Sequence, residues 1–168
     1  FTAAAVSLAS GVPLTLSESM APGSVSSLSR YSSRLTCSNA ATGSSTPMPN
    51  NVATTSFNFG ALQFGDAVQC SFINAAFPHV RLQKALGIGG RLFATDQFTM
   101  NITQGATAIA TTTTTGTGTT VTNGATALTQ VNAAATYTMA EAASGTTALV
   151  QYNAAMGCTN AWATSSTS

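Results

Sequence analysis

Charge is what this sequence has least of. Its 168 residues include five Lys or Arg and four Asp or Glu, for a net charge of +1, whereas roughly a quarter of an average soluble domain is charged. With no run of Lys/Arg to neutralise a series of phosphates, nucleic acid is excluded as a partner. The same poverty leaves no field to steer anionic lipid. Neutral surfaces lack the repulsion that keeps monomers apart, so self-association with further copies of the chain is expected. Histidine is nearly absent: His79 is the single one, and it follows Pro78 with no Cys, Asp or Glu close by, which reads as a surface residue. One histidine and three scattered cysteines do not give the spacing of a metal site. Four carboxylates leave no acid/base pair or activated nucleophile for turnover on an external substrate, so neither an enzyme nor a cofactor is expected. No apolar run reaches the length of a membrane-spanning helix, and no membrane insertion is expected. Residues 1–11 lack the basic stretch of a secretion signal, so the chain reads as mature or as cut from something longer.

What is present is Thr, Ser, Asn, Gln and Ala on the surface, with 44% hydrophobic residues, enough for a packed core. Period-2 alternation places Leu14, Leu16 and Glu18 on one strand face, Val68, Cys70, Phe72 and Asn74 on another, and Val80, Leu82, Lys84 and Leu86 on a third. Phe98, Met100 and Ile102 alternate with Thr99, Asn101 and Thr103, and Tyr137 and Met139 alternate with threonines in the same way. β-Branched Thr, frequent Gly and the absence of any long 3.6-residue period argue against helix. The expected fold is therefore all-β, in half-buried antiparallel strands. Residues 38–56, rich in Ser, Thr, Asn and Pro, read as a long surface loop. Residues 106–126 are almost entirely Thr, Ala and Gly, a composition equally compatible with a disordered linker and with Thr-rich strand pairing. Gly87-Ile88-Gly89-Gly90 reads as a turn, since no helix follows to receive a phosphate. The triplet Asn101-Ile102-Thr103 matches a glycosylation sequon and reads as a solvated strand face. Trp162 reads as a packing residue.

The chain also matches itself. Leu14-Thr-Leu-Ser-Glu18 parallels Tyr137-Thr-Met-Ala-Glu141, and Tyr31-x5-Cys37-Ser-Asn39 parallels Tyr152-x5-Cys158-Thr-Asn160, a period of about 122 residues. Residues 1–77 read as the C-terminal part of one repeat and residues 78–168 as the N-terminal part of the next. About 1.4 repeats is a window on an array, and repeat arrays are characteristically structural. Three cysteines imply one disulfide and one leftover thiol. A Cys37–Cys70 bridge would tie down the 38–56 loop. Cys158 matches Cys37, so it is either unpaired or bonded to a cysteine outside this chain.

Several polar side chains fall on the apolar faces. Lys84, the chain's lone lysine, is in register with Val80, Leu82 and Leu86; Glu141 shares a face with Tyr137 and Met139, Glu18 with Leu14 and Leu16, and Asn74 with Cys70 and Phe72. Burial favours the uncharged form of ammonium and carboxylate groups alike, and a neutral amine is a nucleophile. An amine attacking an Asn carboxamide polarised by a protonated Glu expels ammonia and leaves an isopeptide bond. The simpler alternative is an amine snorkelling to a satisfying carboxylate.

These residues carry a resemblance. The strand Val80-Arg-Leu-Gln-Lys84-Ala-Leu86, then Asp96-Gln-Phe98, then Tyr137-Thr-Met-Ala-Glu141, and Cys70-Ser-Phe-Ile-Asn74 closing the other copy, are similar to the prealbumin-like, B-type collagen-adhesin repeat domains of bacterial surface proteins and pilins. The resemblance implies prealbumin-like, Ig-like β-sandwiches at the bacterial cell surface. It also implies Lys84 on a first strand, Asn74 on a last strand, and Glu18 and Glu141 on middle strands as proton shuttles for an isopeptide crosslink. Lys84 and Asn74 lie in different copies, so a bond would join chains or adjacent repeats. The expected function is a structural subunit or repeat module of an extracellular filament, a pilus, fibre or adhesin stalk assembling head-to-tail, with strand complementation between neighbours. The alternative is a ligand-binding adhesin module using residues 38–56 and 105–126.

Overall fold

The structure is a computed structural model, and it describes residues 6–160; Trp162 lies outside the described residues. All regular elements of any length are strands, joined by two single-turn 3-10 segments, Leu28–Arg30 and Leu149–Gln151. The chain divides into two compact units. Unit 1 runs to Pro78 and includes Gln130–Ala133; unit 2 holds His79–Thr129 and the chain from Ala134 onward.

Unit 1 contains β1 (Pro13–Ser17), β2 (Tyr31–Asn39), β3 (Val52–Ala53), β4 (Ser56–Ala61) and β5 (Val68–Ala76). β1 pairs antiparallel with β4, and a second sheet has the order β3-β2-β5. β2 and β5 pair over nine residues, from Tyr31 opposite Ala76 to Asn39 opposite Val68. Alternation along β2 buries Ser33, Leu35 and Cys37 and exposes Arg34, Thr36 and Ser38, as a period of two requires. Leu35, Cys37 and Phe59 form the buried centre, against which Leu14, Leu16, Phe57, Val68 and Phe72 pack. The Cys37–Cys70 disulfide joins directly opposed residues of the two strands.

The 38–56 segment is a surface loop with short β3 docked on β2, and one carboxylate organises it. Asp66 accepts hydrogen bonds from Asn39 Nδ2 at 2.7 Å, Thr46 Oγ1 at 2.5 Å and the Gln63 amide at 2.9 Å. Bonds from Ser44, Thr46 and Asn39 hold its carboxyl well below the usual carboxylate range.

Unit 2 contains β6 (His79–Val80), β7 (Gln97–Gln104), β8 (Thr107–Thr113), β9 (Thr129–Gln130, its second residue belonging to unit 1) and β10 (Thr138–Ser144). One sheet has the order β10-β7-β8, antiparallel throughout, and β6 lies beside β9. β7 is its spine: Phe98, Met100 and Ile102 are buried in strict alternation with Thr99, Asn101 and Thr103. On the opposite face Thr99 and Thr113 share a hydroxyl contact of 2.9 Å, and Thr111 donates to Asn101 Oδ1 at 2.7 Å.

The threonine-rich stretch is ordered. Its first third is β8. The rest folds around Arg91, which is buried and donates to the backbone carbonyls of Thr115, Gly118 and Thr120 as well as to Asp96 O and Gln97 Oε1. A buried guanidinium needs all its donors engaged, and here a loop of carbonyls wraps it. Gly116 is obligatory in that wrap: it has φ +101°, and a Cβ there would lie 2.7 Å from Thr120 O.

The strand expected over Val80–Leu86 is regular only at His79–Val80. Beyond it the chain stays extended, with an isolated bridge between Gln83 and Ala125 and backbone bonds from Lys84 N to Gly124 O and from Thr126 N to Leu82 O. Its backbone pairing with residues 124–126 is limited to that bridge and those two bonds, too short a run of consecutive pairs to make a regular ladder. Gly87-Ile88-Gly89-Gly90 forms the expected turn, closed by Gly90 N bonding to Gly87 O at 2.9 Å.

Candidate crosslinking sites

In unit 1, Glu18 follows the last residue of β1 and continues its inward face below Leu14 and Leu16. Asn74 stands on β5 directly opposite Ser33 of β2. The Asn74 amide nitrogen donates to Glu18 Oε1, and Ser33 Oγ donates to Asn74 Oδ1 at 2.5 Å. The carboxamide is thus held at both ends, with its carbonyl oxygen polarised by a hydroxyl. The other carboxylate oxygen, Glu18 Oε2, is shielded from solvent without a hydrogen-bond partner.

In unit 2, Lys84 Nζ stands 2.6 Å from Glu141 Oε1, with the two side chains 13% and 23% exposed. The contact is an ion pair by distance, although Oε1 lacks a partner in hydrogen-bond geometry. Glu141 is placed by β10, opposite Met100 of β7. The ammonium also lies 4.4 Å from the centroid of the Phe98 ring, a cation-π contact. Phe98 in turn meets Tyr152 edge-on at 5.1 Å. The Tyr152 hydroxyl donates to Asp96 Oδ2 at 2.5 Å and accepts from Leu92 N at 2.7 Å. Burial, and after it the Asp96 hydrogen bond, push the Tyr152 phenol above its ordinary value.

Each unit therefore gathers two of the three residue types expected for an isopeptide site. Unit 1 joins Asn74 to Glu18; unit 2 joins Lys84 to Glu141. Cys37 and Cys70 are bridged, and Cys158 is a free, exposed thiol. Among the described residues, no group of three or more His, Cys, Asp or Glu is placed to hold a metal, and no helix is long and apolar enough to cross a membrane.

Ser33, Arg91 and Asp66 are the participants that inspection of motifs passes over, and Tyr152 enters it only as a landmark of the repeat. Ser33 had a signal. With Cys37 opposite Cys70 in an antiparallel pair, the residue four back from Cys37 faces the residue four on from Cys70, which is Asn74. Arg91 and Asp66 had none, because their partners are carbonyls and loop hydroxyls distant in sequence.

Beside the Lys84–Glu141 pair, unit 2 has a groove of about 980 Å³, flanked by residues 79–85 on one side and 154–160 on the other, with Met100 and Met139 in its lining.

Comparison with characterised proteins and with solved structures gives no significant match. A family model for a SpaA-type prealbumin-like fold domain matches residues 1–76 and 79–168. Such domains are typical of bacterial surface and pilus proteins and are generally not catalytic, and the disulfide accords with an extracellular surface setting. Antiparallel sheets, β-alternation and near-complete coverage agree, and the chain belongs to the prealbumin-like fold domain family.

Proposed function

We propose that the chain is a structural module of an extracellular bacterial filament or adhesin stalk, made of repeats joined head-to-tail. The observation that carries this reading is the complementarity of the two polar sites: a clamped Asn with its Glu in unit 1, and a lysine with its Glu in unit 2. A lysine of one repeat and an asparagine of another would complete both. In the crosslink, Lys84 first passes a proton to its glutamate, and the amine so formed attacks Cγ of an Asn74 side chain. The Nζ–Cγ bond forms, the Cγ–Nδ2 bond breaks, and the glutamate carries the amine proton to the departing ammonia. The reaction happens once per junction and makes the filament continuous under tension.

Low charge supports dense self-assembly. The 38–56 loop, pinned through Asp66, is a fixed part of the module surface in this reading. The test is intact mass and denaturing, reducing electrophoresis of native material. A ladder that survives reduction and boiling, with one ammonia lost per junction, is expected. A single 16.8 kDa band would remove the covalent junction, and a monodisperse monomer in native solution would remove the filament reading altogether.

A further inference from the structure

The outer face of the β10-β7-β8 sheet takes no part in the sites described above, and it has an order of its own. Its middle column is Thr99, Asn101 and Thr103 of β7, and directly paired residues share a face, so the register extends each of these into a row. Every row ends on Ala at one edge of the sheet and on Thr at the other: Ala142 and Thr113 flank Thr99, Ala140 and Thr111 flank Asn101, and Thr138 and Ala108 flank Thr103. The edge residues are exposed and the middle column is half-buried between them. None of these side chains is charged, and all are short, which makes the face flat. Its polar groups are partly paired with one another: Thr99 with Thr113 at 2.9 Å, and Thr111 Oγ1 with Asn101 Oδ1 at 2.7 Å. Covering a polar group is costly when its hydrogen bonds are lost with the water, and these bonds persist when the face is covered. Asn101 Nδ2 makes no hydrogen bond among the described residues.

We propose that this face is a side-by-side contact between modules, packing on the same face of a second copy about a two-fold axis that runs along β7. Rotation about that axis keeps each row in place and exchanges its two edges, so Ala142 meets Thr113, Ala140 meets Thr111, and Ala108 meets Thr138 of the other copy. A small side chain faces a taller one at every edge position, as a self-complementary two-fold interface requires. Asn101 lies on the axis and meets its own copy. Its free Nδ2 donates to the other Asn101 Oδ1, which has a second lone pair beside the one that accepts from Thr111. The absence of charge removes the repulsion that a face meeting itself would otherwise carry. Size sets the strength. Three rows of three positions, at about 4.8 Å between strands and about 6.8 Å between rows, cover roughly 300 Å² per copy, well short of the roughly 800 Å² per partner of a stable interface. One pair of modules therefore associates weakly, and modules repeated along an array associate through many such contacts at once. This inference goes beyond the head-to-tail reading, because it joins modules laterally.

The experiment is sedimentation equilibrium of the full chain at high concentration, with Cys158→Ser throughout so that the exposed thiol forms no dimer of its own. It compares this parent with Asn101→Asp, with Asn101→Lys and with an equimolar mixture of the two. The parent is expected to show a weak monomer–dimer equilibrium. Each variant sets like charges against each other on the axis and is expected to lower the association constant at least tenfold. In the mixture opposite charges meet, and association is expected to return to the parent's level or above, which also shows that both variants fold. Either variant associating as strongly as the parent would overturn the proposal, and so would a mixture no stronger than its components or a parent that stays monomeric. Native filaments that elongate but never gather side by side would overturn this inference and leave the head-to-tail reading standing. Chains that pair through Asn101 but never elongate would overturn the head-to-tail reading and leave the lateral contact.

Discussion

Leu35 and Met156 occupy the same position of the repeat, yet Leu35 is fully buried and Met156 is 67% exposed. Cys37 and Cys158 differ in the same way, one bridged in a core and the other free. The local sequences, Tyr31-Ser-Ser-Arg-Leu-Thr-Cys37 and Tyr152-Asn-Ala-Ala-Met-Gly-Cys158, share their apolar alternation. What differs is the neighbour: β2 has β5 beside it, and residues 153–160 have a groove. A strand is therefore not a property of its own residues, since alternation supplies one apolar face and the backbone groups still need a second chain to bond.

The comparison can be broken, or sharpened, by measurement. Leu35→Ala removes a fully buried side chain and is expected to cost about 3–5 kcal/mol, whereas Met156→Ala is expected to stay within about 0.5 kcal/mol. Hydrogen exchange of β2 amides against those of β7 reads the two effects unit by unit. A large effect of Met156→Ala would mean that the second copy is already packed. Next comes the Cys37→Ala/Cys70→Ala pair. The bridge spans 33 residues, and its loss is expected to cost roughly 3 kcal/mol, confined to unit 1. Chemical denaturation with and without reductant checks this, and an equal loss in β7 protection would contradict the division into two units.

Tyr152→Phe deletes the hydroxyl between Asp96 and Leu92 and is expected to cost about 1–2 kcal/mol. In the intact protein the raised phenol pKa gives the sign of the pH effect. The stabilisation is complete at neutrality and is lost as pH climbs past the ordinary tyrosine value of about 10; ultraviolet difference titration against Tyr152→Phe follows it. The smallest effect concerns the loop of unit 1. With its pKa depressed, Asp66 contributes above the ordinary carboxylate value of about 3.9 and ceases to contribute only as pH falls through the depressed value. Proteolysis within residues 40–50 is therefore expected to stay slow from neutrality to mild acid. Asp66→Asn is expected to quicken it at neutral pH, and an unchanged rate would remove Asp66 as the anchor.

Much of this was legible in advance. The inward alternation of β1, β5 and β7, the disulfide pair and the pairing of Lys84 with a carboxylate all rest on spacing or on the rule that a buried charge needs a partner. The threonine-rich segment could not be resolved that way. Thr, Ala and Gly are equally at home in strand and linker, and the deciding residue, Arg91, acts through carbonyls 24 to 29 positions away.

The sequence by itself determined the period-2 faces, the near absence of charge and the repeat, because these follow from side-chain chemistry at fixed spacing. Only the tertiary structure decided which faces are covered. It set Ser33 against Asn74, wrapped the threonine loop around Arg91, and left Met156 and Cys158 lining an open groove. Burial and hydrogen bonding depend on what the rest of the chain brings alongside, and no local pattern encodes that.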